Sequence, residues 1–193
     1  ADIVGRDPAE GIAVAIQITE SLLPAFDALA VAIEDLSDRE SATVKMGRTH
    51  LMDAVPMTFG QEVSGWARSV RLAASSVESV LSRLHELPLG GTAIGTGLNA
   101  PTDFGALVAA GIAERTGVAL REAENHFEAQ SSQDALVDVS GSLRTGALSI
   151  HKIAGDLRLL NSGPTGGLSE IQLVELQAGS SIMSGKVNPV VPE

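Results

Sequence analysis

Apolar positions fall three and four apart over long stretches of this chain, the spacing of one buried stripe on an α-helix. From residue 8 to about residue 39 the stripe runs through Ile12, Ile16, Thr19, Leu22, Leu23, Phe26, Leu29, Ile33 and Leu36, which predicts a helix that Pro24 kinks or splits. Residues 41–56 alternate only weakly around Thr43, Val44 and Met46 before the polar Gly47-Arg48-Thr49-His50, and read as an extended connector. A second helix is predicted to start at Thr58, where Thr58 and Gln61 have capping-box spacing and Glu62 lies in the first turn. Its stripe is Val63, Trp66, Ala67, Val70, Ala73, Val77, Val80, Leu81 and Leu84; carried to Glu86 it is a rod of roughly 40 Å, which needs neighbours of similar length.

Residues 87–100 are punctuated by Pro88, Gly90, Gly91, Gly95 and Gly97. They match neither a phosphate-binding loop nor a dinucleotide fingerprint, so a tight inter-helix loop is the reading. A short helix over 101–116 closes at Gly117, and a third long helix is predicted over 128–161 with Leu136, Val139, Leu143, Ala147, Ile150, Ile153, Leu157 and Leu160 in register. Gly141, Gly146 and Gly155 inside it cost helix stability and are best explained by a second helix backbone packing closely there. Residues 162–178 form a loop that leads into the last fifteen, 179–193, whose Gly, Ser and Pro content excludes a helix and describes a mobile loop able to close over a small anion.

Composition sharpens this to an all-α fold. Apolar residues are 44% but aromatics only 3%, so the core is Ala, Val, Leu and Ile, which suits long antiparallel helices in close contact. The apolar surface those helices leave over predicts homo-oligomerisation into a larger bundle, the alternative being a monomeric bundle of about four helices. A net charge of -11, from 13 basic and 24 acidic residues, argues against a nucleic-acid partner. No Cys is present, which fits a reducing cytoplasm, and no continuous apolar run approaches the ~20 residues of a membrane span. Residues 1–8 carry neither a basic leader nor an apolar signal core, and the missing initiator Met points to a processed or excerpted chain.

Without Cys, an HExxH motif or a carboxylate-rich bundle motif, metal and thiol mechanisms have no support; no metal ligand or cofactor is assigned. Hydroxyl, imidazole, ammonium and carboxamide chemistry remains. A site for a dicarboxylate would use Ser180 as proton acceptor, Lys186 and Asn188 as carboxylate ligands, and His50 as proton donor or water holder. Taken singly, each also has a plain structural reading as turn, surface or packing residue. His85, His126 and His151 have no polar constellation beside them in sequence and read as surface or packing residues.

The stretch Gly179-Ser180-Ser181-Ile182-Met183-Ser184-Gly185-Lys186-Val187-Asn188 resembles the signature loop of the fumarase/aspartase superfamily, Gly-Ser-x-x-Met-x-x-Lys-x-Asn. Gly47-Arg48-Thr49-His50-Leu51-Met52-Asp53-Ala54-Val55-Pro56, Gly90-Gly91-Thr92-Ala93-Ile94-Gly95-Thr96-Gly97-Leu98-Asn99, Phe127-Glu128-Ala129-Gln130 and Ser162-Gly163-Pro164 resemble its other internal motifs in the same order. The similarity runs from about Ile12 onward and is closest to class II fumarase.

The resemblance implies a cytoplasmic homotetramer built on a central helical bundle, acting on fumarate and malate by anti elimination without a cofactor. It implies Ser180 as the base at C3, Lys186 and Asn188 on the neighbouring carboxylate, Thr49 as a further substrate ligand, and His50 paired with Glu193. Fumarases carry His where aspartases carry Gln, so His50 favours hydration of fumarate over the alternative, aspartate ammonia-lyase. Two departures stand out. Ser184 replaces the family's usual Pro, which should loosen the loop. The family's His-Pro-x-Asp-His and Ser-Ser-Asn segments do not precede Ile12, and the family continues beyond Glu193. Residues 1–193 are therefore read as the central helical domain, without the family's N- and C-terminal domains. A third reading follows, a non-catalytic helical oligomerisation core.

Overall fold

The computed structural model describes residues 7–193; what was read from residues 1–6 lies outside them. The chain divides into two compact units, one ending at Gly146 and one running from Ala147 to Glu193.

In the first unit, Asp7 accepts from the Ala9 N–H and caps α1 (Pro8–Gln17), with Pro8 at a position where no amide hydrogen is needed. A π-helical turn, Ile18–Leu22, follows and leads directly into α2 (Leu23–Arg39). The helix thus does not break at Pro24. The wider turn, closed by Leu23 N–H donating to Ile18 O, absorbs the missing amide and ring bulk in the first turn of α2.

Helix α3 (Phe59–Leu84) begins at the predicted capping box: Gln61 N–H donates to Thr58 Oγ1 at 3.1 Å and Thr58 N–H to Gln61 Oε1 at 3.0 Å. It buries Val63, Trp66, Ala67, Val70, Ala73, Val77, Leu81 and Leu84; of the predicted stripe only Val80 is half-exposed. Each such side chain contributes roughly 1.5–3 kcal/mol when fully buried, less for Ala. Helices α2 and α3 are antiparallel, since Ser37 Oγ donates to Gly60 O while Arg71 bonds Glu34 and pairs with Asp27. Their close end requires Gly60, where a Cβ would lie 2.4 Å from Ser37 O.

Residues predicted as a connector form a β-hairpin instead, β1 (Val44–Thr49) with β2 (Met52–Thr58). Its turn is His50-Leu51 with φ of 52° and 62°, a two-residue left-handed turn made without Gly or Asn. Strand β3 (Glu86–Leu87) pairs in parallel with β4 (Arg121–Glu122), and between them lies α4 (Phe104–Thr116), closed by Gly117 at φ 70°.

The third predicted helix is two. Helix α5 (His126–Ser131), capped by Asn125, ends at extended Ser132, and α6 (Asp134–Leu160) starts beyond it. Ser132 Oγ accepts from Asp134 N–H, so the Ser-Ser-Gln-Asp string expected inside a helix separates two. Among the α6 glycines, only Gly146 has the close packing inferred: a Cβ there would meet the Phe26 ring at 3.1 Å, whereas Gly141 and Gly155 meet nothing within 4 Å. Ala147, placed in the buried stripe, is exposed.

Within the run Pro8–Arg39 an 18-residue window reaches a mean hydropathy of 1.4, long and apolar enough to cross a membrane by length and composition, contrary to the expectation from unbroken apolar runs. Ala15, Ile18, Phe26, Ala30 and Ile33 within it are buried in the protein itself, and Arg71 engages Asp27 and Glu34 on its polar side. These contacts suit a core helix. The second unit comprises the end of α6 and a chain with almost no regular structure, joined across itself by one bridge between Ala178 and Val187.

Candidate active site

The predicted site residues fall into two groups, one in each unit. Thr49 and His50 sit at the tip of the β1–β2 hairpin, both exposed. Strand pairing sets Thr49 opposite Met52, and the Arg48 guanidinium reaches Asp53 at 3.5 Å across the strands just behind the turn. Left-handed backbone at two consecutive non-glycine residues costs about 1–2 kcal/mol each, and such strain concentrates at functional positions.

Ser180, Lys186, Asn188 and Glu193 belong to the second unit, and three of them converge. The Ala178–Val187 bridge and Gly179 N–H donating to Lys186 O at 2.7 Å close the neck of the 179–186 loop. Lys186 Nζ donates to Asn188 Oδ1 at 2.8 Å and to Gly179 O at 3.4 Å. With its oxygen turned to Lys186, the Asn188 carboxamide has its N–H groups free to donate, beside an ammonium. The pair is a donor surface suited to a carboxylate.

Ser180 Oγ accepts from Ile182 N–H at 3.2 Å and Met183 N–H at 3.3 Å. Two donors aimed at one hydroxyl oxygen favour negative charge on it, as a serine acting as a base requires. A cavity of about 540 Å³ is lined by Lys186 and Asn188 together with Asn161, Glu170 and Glu175, and another of about 440 Å³ by Ser180, Met183 and Lys186. Lys186 faces both cavities, whereas Ser180 lines only the second and Asn188 only the first. Ser184, standing where the family has Pro, is exposed, and Gly185 beside it takes φ 77°. Glu193 is exposed, with its N–H donating to Pro189 O.

The segment before the loop is anchored to the end of α6. Leu173 N–H donates to Asn161 Oδ1 at 2.8 Å, Leu168 N–H to Ser162 Oγ at 3.1 Å, and Glu170 N–H to Leu160 O at 2.9 Å. Asn161 was not singled out in the sequence. An Asn one residue past a helix end, able to receive a backbone donor, was the available signal.

One histidine also differs from expectation. His126 Nε2 lies 3.0 Å from Glu122 Oε1 and 2.9 Å from Leu89 O, two acceptors, so that nitrogen carries the proton. One helical turn on, Gln130 Nε2 donates to Thr92 O, and together they hold the glycine-rich 90–99 stretch as the tight loop its sequence predicts. His85 is held below the usual histidine range by burial and, secondarily, by the Arg121 charge. No cluster of His, Cys, Asp and Glu suited to a metal ion occurs among the described residues.

A family model described as lyase matches residues 8–193, and the chain belongs to that family of lyases. Within it, the chain resembles the class II fumarate hydratases. It is 54% identical over 173 residues to fumarate hydratase class II of Corynebacterium efficiens, covering 89% of this chain and 37% of that protein. It is 56% identical over 173 residues to the Mycobacterium tuberculosis protein of the same name, covering 89% of this chain and 36% of that one. The chain thus spans little more than a third of the length of these relatives. A class II fumarase from Schistosoma mansoni superposes with a TM-score of 0.88 at 34% identity, over 96% of this chain and 42% of that one. A fumarate lyase:delta crystallin from Brucella melitensis, bound to cobalt, gives 0.85 at 42% identity over 94% and 40%. The all-α reading and the superfamily resemblance are both borne out.

Proposed function

We propose that these residues form the central helical part of a fumarate hydratase, which interconverts fumarate and L-malate by anti addition and elimination of water. Ser180 removes the C3 proton. Deprotonation beside a carboxylate builds a doubly charged aci-carboxylate, which the Lys186 ammonium and Asn188 amide, with Thr49, bind more tightly than the ground state. His50 supplies the proton that hydroxide needs to leave, directly or through water, and Glu193 is the carboxylate assigned to raise its basicity. The chemistry uses no metal or organic cofactor. The observation that carries this reading is the Lys186–Asn188 donor pair, with Lys186 also lining a cavity with Ser180, whose oxygen already accepts two backbone hydrogens.

The protein works as a cytoplasmic homotetramer, with neither nucleic acid nor membrane as a partner. Val44, Leu51, Met52 and Val55 of the hairpin are 68–73% exposed, and Ala13, Val14, Ile18, Leu22 and Leu143 line an open apolar groove. Surface of this kind supports association between copies. Light scattering on the purified protein tests it: a tetramer is expected, and a monomer at micromolar concentration contradicts it. Consumption of fumarate with appearance of L-malate tests the activity. Release of ammonia from L-aspartate instead would establish the rival lyase.

A further inference from the structure

Gly179 has no role in the chemistry above, yet both of its backbone polar groups are committed to Lys186: its N–H donates to Lys186 O, and its carbonyl accepts from Lys186 Nζ. Its φ is not in the left-handed region, so what matters here is space. A Cβ at this position would lie 2.4 Å from Asn188 Oδ1, 2.9 Å from Asn188 Cγ and 3.1 Å from Lys186 O. The backbone cannot turn away without giving up the 2.7 Å bond that closes the loop neck beside the Ala178–Val187 bridge. The Asn188 carboxamide would have to move, and moving it breaks the 2.8 Å bond from Lys186.

We propose that Gly179 is a positioning residue: its missing side chain seats the Asn188 carboxamide against the loop backbone with its oxygen turned to Lys186, so that Asn188 N–H and the Lys186 ammonium are available as donors to a carboxylate. The pair is thereby set before the ligand arrives, which removes an ordering cost from binding. With Ala at 179, Asn188 Oδ1 is released from Lys186, and an acceptor is exposed where the ligand carboxylate should sit. This inference rests on the dicarboxylate reading of the site.

The test is a double-mutant cycle in the full-length protein, with succinate, a dicarboxylate that cannot react, as the titrated ligand. Gly179→Ala and Asn188→Ala should each weaken succinate binding by about ten-fold, the size of one lost charge-assisted hydrogen bond. The double variant should bind no worse than Asn188→Ala alone, because Gly179 acts only through Asn188. Additive losses, or wild-type binding by Gly179→Ala, overturn the proposal.

A second readout does not depend on ligand. The Asn188 side-chain amide resonances should shift on Lys186→Met in the Gly179 protein and stay unmoved by the same change in the Gly179→Ala background. Equal shifts in both backgrounds overturn the proposal. If wild-type protein binds no succinate while these resonances behave as expected, the dicarboxylate reading fails and the positioning role stands. Should Gly179→Ala disorder the loop, adding Asn188→Ala removes the two contacts under 3.0 Å, leaving only Lys186 O at 3.1 Å, and should restore hydrogen-exchange protection of the residue-179 amide; continued disorder counts against the proposal.

Discussion

Lys186 Nζ lies 2.8 Å from Asn188 Oδ1, so the two candidate carboxylate ligands orient each other before any ligand is present. Lys186→Met should therefore lose more than one contact, since it removes the cation and frees the carboxamide to turn its oxygen outward. Hydrogen bonds to charged groups contribute about 1.5–3 kcal/mol, which corresponds to a ten-fold or greater loss of dicarboxylate affinity by calorimetric titration. An unchanged affinity would remove Lys186 from the site.

The proposed mechanism makes His50 the residue that separates hydration from deamination. His50→Gln should lower fumarate hydration by about 10²–10⁴-fold, the usual worth of a positioned proton donor. The hairpin should keep its fold, because the side chain is exposed at the turn. Stopped assays of malate formation check this, and a variant as fast as wild type would assign the proton to another group.

The same turn carries Leu51 at φ 62°, a bulky side chain in the left-handed region and 71% exposed. Leu51→Gly should stabilise the isolated chain by about 1 kcal/mol, the cost of placing a side chain there. Urea denaturation measures it. A loss of stability would mean that Leu51 makes packing contacts that outweigh the strain.

That hairpin marks the limit of what the sequence disclosed. Helix α3 was legible to its first residue, because Thr58 and Gln61 satisfy each other's backbone donors locally and the stripe from Val63 to Leu84 has one period. The hairpin was not, because His50-Leu51 lacks the Asn-Gly chemistry that announces such a turn. Nor was the break at Ser132, where two serines cap backbone groups within a stretch whose apolar period continues across it. In the site, Ser180, Lys186 and Asn188 were legible as residue types in a pattern. The Gly179–Asn188 approach was not, since it depends on how the neck of the loop closes.

Two titrating groups outside the site contribute to the acid side of stability. Glu34 is held below the usual carboxylate range chiefly by its hydrogen bonds from Arg71, so its contribution is present above pH 4.5 and is lost as pH falls through its lowered value. His85 is also held low, by burial and then by Arg121, so as pH falls below 6.5 the unfolded chain takes up this proton before the folded one and stability declines. His85→Gln should flatten the fall in urea midpoint between about pH 7.5 and pH 5.5. An unaltered slope would assign it to other groups.

The most direct measurement is the conversion of fumarate to L-malate by the full-length protein, wild type against Ser180→Ala. Wild type should hydrate fumarate without added metal or cofactor, and Ser180→Ala should lose at least about a hundred-fold in rate with its thermal midpoint unchanged. Failure of the wild type to hydrate fumarate, or full activity in Ser180→Ala, would contradict the account.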